Sequence, residues 1–468
     1  MTSNFKAYLI IIVLLVLHIS TANLFDLTVD EAHYALFAFK LDLSYFDHPP
    51  MVGWILALMQ PFGLNDFTVR IPPIILMALN NYLLFRISLS LYSHDIALKA
   101  LVLFNLAAIV QLVSYGMVPD VPLITFSLLL VMLLLKMSAS NSIGLWLALG
   151  ALTGLTGLSK YTAIITALGI LIWLYQCRLL IAWLKQWQFY LAVFIALILI
   201  SPVVIWNYQH DWISFNYQFA HGTKGSWHIN NVGIMLALFM VSYSPLLVIL
   251  AIKVFSASKG KQEKLLFNIA VLHLLAALYS AGNGEFLPHW GMMGFLFMTP
   301  LAAKQLTNIK LTLFNKSWLV LVSAISLIIV TFVFLILLTK PTYWQLATAN
   351  RDLVGWSGAA QIGQKLAQKY DTNILWVTNW THASRISWYA RPTKVQVVSD
   401  KISQYTLWNG NAKGDDSAIL IVPEISQGQF SLFNNNTCNE ITSLDFQKNN
   451  VIFNSFSFYY CQPIDSLN

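Results

Sequence analysis

Charge is what this chain has least of: Asp, Glu, Lys and Arg make up 10% of its 468 residues, against 57% hydrophobic residues. That excludes a soluble globular fold, which would have no polar surface to offer water. A basic patch interleaved with stacking aromatics is also missing, so the formal charge of +7 gives no support to a nucleic-acid role. Cysteine is scarce, with Cys177 inside the apolar region and Cys438 and Cys461 in the C-terminal tail. An oxidising compartment would permit one disulfide in the tail, but spacing alone does not bring two Cα atoms within bonding reach. The tail has no glycine-rich phosphate loop, which argues against a nucleotide site there.

What is present is a series of apolar blocks of roughly 18–25 residues, the length a helix needs to cross about 30 Å of hydrocarbon. They fall near 7–24, 68–90, 97–115, 121–137, 142–159, 161–177, 188–206, 231–252, 265–281, 288–303 and 317–339. The expectation is an all-α polytopic membrane domain of about 11 transmembrane helices over 1–340, with a small α/β soluble domain over 341–468. The first block has Lys6 before it, His18 inside it and no small-residue cleavage site after it, so it reads as a retained signal anchor.

Basic residues gather at Lys6, Arg86 to Lys99, Lys136, Arg178 and Lys185, Lys253 to Lys264, and Lys304 to Lys316, in alternate connections. The positive-inside rule then puts the N-terminus in the cytoplasm. Loops 25–67, 116–120, 207–230 and 282–287, and the tail from Lys340, fall on the far side. For a bacterial cell this means a multi-pass inner-membrane protein with a periplasmic C-terminal domain. In that tail a helix near 353–370, a strand Asn373–Thr378, a helix near 381–390, a strand Val395–Ser399 and a strand Ala418–Pro423 alternate, as in a partly parallel sheet.

Chemistry-bearing residues concentrate on the outer side. The first outer loop carries Asp30, Glu31 and His33, then Asp47 and His48 before Pro49 and Pro50. Asp30 has a structural reading as a helix cap and Asp47 as the opening of a proline turn. The apolar stretch 50–62 is too short to span and is expected to lie in the interface, where a carboxylate is costly unless it works, pairs or binds metal. His33 and His48 are candidate ligands for a divalent metal, although their spacing is not a tight ligand pattern. No other cofactor is implied.

Lys160, between two apolar runs on the outer side, breaks the positive-inside trend. It reads as a snorkelling end-of-helix lysine or as a contact for a lipid phosphate. Asp120 between Pro119 and Pro122, and Glu285 with His289 and Trp290, complete the set, together with Asn207, His210, Asp211 and Trp212.

The stretches Asp30–Tyr34, Tyr45–Pro50, Pro119–Pro122, Gly157–Tyr161 and Ser201–Asn207 together resemble the bacterial glycosyltransferase family 39 group. These are proteins of the dolichyl-phosphate-mannose protein mannosyltransferase type, related to the lipid A aminoarabinose transferase. The resemblance implies a GT-C fold and transfer of a sugar from a polyprenyl-phosphate donor to a lipid, glycan or protein acceptor at the outer face of the bilayer. It places the catalytic carboxylate on Asp30 or Glu31. Asp47, His48, Lys160, Tyr161, Asp120, Glu285 and His289 become substrate-binding candidates, with Lys160 at the lipid phosphate. Glu285–Trp290 departs from the family's Glu-x-Asn-Trp-Pro-like segment. The competing readings are a transporter or flippase of lipid-linked sugars, which would call for internal repeats and midplane charges, and a structural membrane subunit.

Overall fold

The computed structural model describes residues 3–137, 142–223, 226–309, 312–339, 353–399, 401–424, 436–448 and 451–463. The boundary expected at 340/341 lies outside them. Backbone packing divides the chain into two compact units. One comprises residues 1–20, 42–52 and 70–334; the other comprises 21–41, 53–69 and 335–468.

Among the described residues the regular elements of the first unit are all helices. Among the described residues six helices are long and apolar enough to cross a membrane: Asn4–Thr21, Thr68–Leu91, Asp120–Met137, Trp187–Gln209, Lys261–Gly282 and Ser317–Ile336. A seventh span results if Ile229–Ser242 and Pro245–Ser256, bent by 119°, are counted as one. The break follows from local chemistry, because Ser244 takes a left-handed φ of 72° and Pro245 has no N–H to continue the ladder. The apolar block at 97–115 divides into His94–Asn105 and Ala108–Val113, while Ile143–Ser159 and Ala163–Gln176 are shorter apolar helices.

Helix Ile143–Ser159 carries a glycine stripe at Gly150, Gly154 and Gly157 against Trp187–Gln209. A Cβ on Gly150 would lie 2.5 Å from the Ala192 carbonyl oxygen, and one on Gly157 would lie 2.7 Å from Ile200 Cδ1. Small residues let two helices approach where lipid offers no hydrophobic drive to pack them. The stripe thereby fixes the end of the helix, at which Lys160 sits.

The second unit is built on a five-stranded sheet in the order β2-β1-β3-β5-β4. The strands are β1 (Ile374–Val377), β2 (Lys394–Val397), β3 (Ala418–Pro423), β4 (Asn436–Lys448) and β5 (Val451–Pro463). β1 runs parallel to β2 and β3, and the β4–β5 hairpin adds antiparallel to β3. One face buries Trp376, Leu420, Val422 and Ala412. Helices Trp356–Lys369 and Trp380–Tyr389 pack on the sheet, and the loop helix Val29–Phe37 packs in turn on Trp380–Tyr389.

Cys438 and Cys461 face each other across the β4–β5 ladder and are disulfide-bonded; Cys177 is a buried free thiol. The bond closes a sequence separation of 23 residues. Replacing both cysteines by Ser is expected to cost the unit roughly 3 kcal/mol, read as a lowered denaturation midpoint under non-reducing conditions. Equal midpoints for the two proteins would show that the hairpin holds without its cross-link.

His382 is 5% exposed, with Nδ1 2.9 Å from Thr378 Oγ1 and its ring stacked on Trp356. Burial first, and the Arg385 charge second, push its pKa down to about 3. The folded state therefore favours neutral His382, a contribution present above about pH 6.5 and lost as pH falls toward 3. Wild type is expected to lose about 2 kcal/mol more than His382→Gln between pH 7 and pH 5, measured by tryptophan fluorescence during denaturation. Parallel pH profiles for the two proteins would sink this assignment.

Candidate active site

Asp120 opens helix Asp120–Met137, and Lys160 follows the last residue of Ile143–Ser159. Lys160 Nζ donates to both carboxylate oxygens of Asp120, at 2.9 and 2.8 Å, with the two residues 7% and 4% exposed. A snorkelling lysine is therefore not what the structure contains, and Asp120 is more than a helix-start charge. A bidentate carboxylate engages two of the three ammonium N–H groups and leaves one for another acceptor.

Around this pair stand residues from the loops that join the helices of the membrane unit. His289 and His48 lie within electrostatic range of Asp120, and the Trp290 ring centroid is 5.7 Å from Lys160 Nζ. His289 and Trp290 belong to a 3-10 turn, Pro288–Gly291, whose Pro288 carbonyl accepts a 2.7 Å bond from the Tyr243 hydroxyl. His273 also lies within range of Lys160 and Asp120, and its Nε2 is 3.0 Å from Thr166 Oγ1.

Asp47 and Glu285 both lie within electrostatic range of Tyr217. Its phenol is pushed up to about 12, first by burial and then by these two carboxylates. The backbone carbonyl of Asp47 accepts a 2.6 Å bond from Gln218 Nε2, so helix Ile213–Thr223 holds the second motif of the first loop.

Tyr161 Oη lies 2.6 Å from Ser214 Oγ and accepts a 3.4 Å bond from Asn207 Nδ2. Asn207 Oδ1 accepts from the Phe215 amide in turn. Trp206 Nε1 donates to Asp42 Oδ2 and the Trp206 ring stacks on His210. Asp47, His48, Asp120, Lys160, Tyr161, Glu285 and His289 thus gather at one end of the membrane unit's helices.

Asp30, Glu31 and His33 belong to the second unit, on helix Val29–Phe37. The helix cap is Thr28, not Asp30. Its Oγ1 accepts from the Glu31 amide at 3.4 Å, and Glu31 Oε2 accepts from the Thr28 amide at 2.9 Å, closing a capping box. Glu31 is 6% exposed with its carboxylate given to the backbone, whereas Asp30, in the same first turn, is half-buried. His33 is buried, with Nδ1 3.0 Å from the Tyr405 hydroxyl and its ring edge-on to Phe37 and Trp380. Among the described residues no group of three or more His, Cys, Asp or Glu side chains is placed to hold a metal ion.

Sequence reading missed the partnership of Asp120 with Lys160, and it missed Tyr217 and His273 altogether. The signal for the first was that both are isolated charges at the ends of apolar helices; the pairing itself spans 40 residues.

Residues 47–206 match the dolichyl-phosphate-mannose-protein mannosyltransferase family. A lipid A galacturonosyltransferase of Rhizobium johnstonii, RgtD, is 28% identical over 192 residues, a match spanning 40% of this chain and 39% of the relative's length. Crystal structures of ArnT from Cupriavidus metallidurans superpose over 98% of both chains. The apo form gives a TM-score of 0.70 at 13% identity, and the form bound to undecaprenyl phosphate gives 0.67 at 14%. The chain has the fold of ArnT, in keeping with the family 39 resemblance. The family match runs from Asp47 through Asp120, Lys160 and Tyr161 to Trp206 and stops short of Asp30 and Glu285.

Proposed function

We propose that this chain, with its ArnT fold and its mannosyltransferase-like membrane core, is an integral-membrane glycosyltransferase. It moves a sugar from a polyprenyl-phosphate donor to an acceptor at the periplasmic face of the inner membrane. The observation that carries the reading is the buried Asp120–Lys160 pair, with His48 and His289 within electrostatic range of it. Buried ionisable groups inside a membrane protein are costly and are kept where they work. The ArnT structure with undecaprenyl phosphate supports a polyprenyl-phosphate donor.

The leaving group of such a transfer is already a phosphate anion. It needs charge stabilisation more than a proton, and the third N–H of Lys160 suits a phosphate oxygen. The acceptor hydroxyl needs a base. The first outer loop offers Asp30 as that base, the carboxylate to which the family 39 resemblance points, with Asp47 as the next candidate. The acceptor class is lipid, glycan or protein.

The test is release of free polyprenyl phosphate from a labelled polyprenyl-phosphate sugar by the purified protein, with membrane extract as acceptor. Acceptor-dependent release supports the transferase. Binding of the lipid without cleavage, for every donor and acceptor tried, would favour a flippase, the reading to which the broken helix pair at Ser244–Pro245 lends its one specific observation.

A further inference from the structure

We propose that two phenol hydroxyls of the C-terminal α/β domain, those of Tyr389 and Tyr405, are positioning residues that fix the helix Val29–Phe37 and with it Asp30. The inference rests on the reading of Asp30 as the base.

The helix is fastened on both sides of Asp30. Upstream, the Tyr389 hydroxyl accepts the Leu27 amide N–H at 2.7 Å, next to the capping residue Thr28, and donates to Asp66 Oδ2 at 2.7 Å. The other oxygen of Asp66 accepts Trp388 Nε1 at 2.7 Å, so a second stretch of the first loop is held at the same point. Arg391 stacks over Trp388 at 3.5 Å and over Phe39 at 4.9 Å, closing the cluster from the far end of the loop helix. Downstream, the Tyr405 hydroxyl meets His33 Nδ1 at 3.0 Å. His33 lies three residues after Asp30, hence on the same helical face.

Each hydroxyl ties down the backbone or side chain that sets where the first helical turn points. A general base works only within about 3 Å of its proton, and a 1 Å misplacement can cost on the order of a hundredfold in rate. Removing either hydroxyl takes one fastening from the helix while its capping box stays intact.

Tyr389→Phe is expected to lower kcat about tenfold, and Tyr405→Phe several-fold, with KM for the polyprenyl-phosphate sugar unchanged. Thr372→Val is the control. It removes a 2.6 Å hydrogen bond to the Ser417 carbonyl in the same domain, away from the loop helix, and should leave kcat at the wild-type value. Hydrogen exchange of the full-length variants gives a readout that needs no activity. Amides 27–37 should exchange faster in both tyrosine variants, while those of β1 and β3 keep wild-type protection.

Unchanged protection of 27–37, or wild-type kcat in the tyrosine variants, overturns the proposal. So does an equal loss of kcat in Thr372→Val, which would mark a general weakening of the domain. Failure of wild type to turn over any donor would count against the transferase instead, and the exchange measurement would still decide whether these hydroxyls hold the helix.

Discussion

Lys160→Met is expected to lower the stability of the membrane unit by about 3–5 kcal/mol, the usual consequence of leaving a buried charge without its partner. Asp120 would be stranded at 4% exposure with its counter-ion gone. The double variant Asp120→Leu/Lys160→Met should recover most of the loss, because a buried pair replaced by apolar side chains of similar size is often close to neutral. Thermal unfolding in detergent reads the three proteins directly. Activity separates what stability does not: the double variant should be folded and inactive. A double variant that turns over normally would reduce the pair to architecture.

Asp30→Asn should reduce turnover by roughly 10²–10⁴-fold while leaving donor binding intact, the range expected when a positioned base is neutralised. Glu31→Gln is the informative neighbour. A glutamine at that position of a capping box still accepts the Thr28 amide, so turnover should stay close to wild type. Asp47→Asn tests the second candidate. If Glu31→Gln or Asp47→Asn silences the protein while Asp30→Asn does not, the base moves to that residue. Single-turnover assays with labelled donor, with folding of each variant checked alongside, distinguish the cases.

Six of the eleven expected span positions coincide with helices long and apolar enough to cross a membrane, because hydrocarbon thickness sets a length that apolar runs display directly. The interruption at Ser244–Pro245 was not read, since the residues on both sides stay apolar and only the proline marked it. In the C-terminal domain β1, β2 and β3 appeared as short apolar runs between helices. The β4–β5 hairpin was overlooked although the run Ser455–Phe456–Ser457–Phe458 in β5 alternates polar with apolar residues. The site divides in the same way. Each of these charges was visible as an exception to its surroundings, but which charges meet depends on helix packing through features such as the glycine stripe, and no spacing rule reports that.

The second unit draws on the first loop and on residues 335–468, with about 265 residues, 70–334, of the first unit between them. A ribosome adding 5–20 residues per second takes roughly 13–53 s to cover that distance. For that long the loop helix Val29–Phe37 exists without Tyr389, Tyr405 or the helix Trp380–Tyr389 to rest on, its apolar side chains in water or against lipid. The later-made part of the unit therefore completes the earlier one, and a nascent chain stopped anywhere in between carries Asp30 on a helix still lacking the partners that hold it.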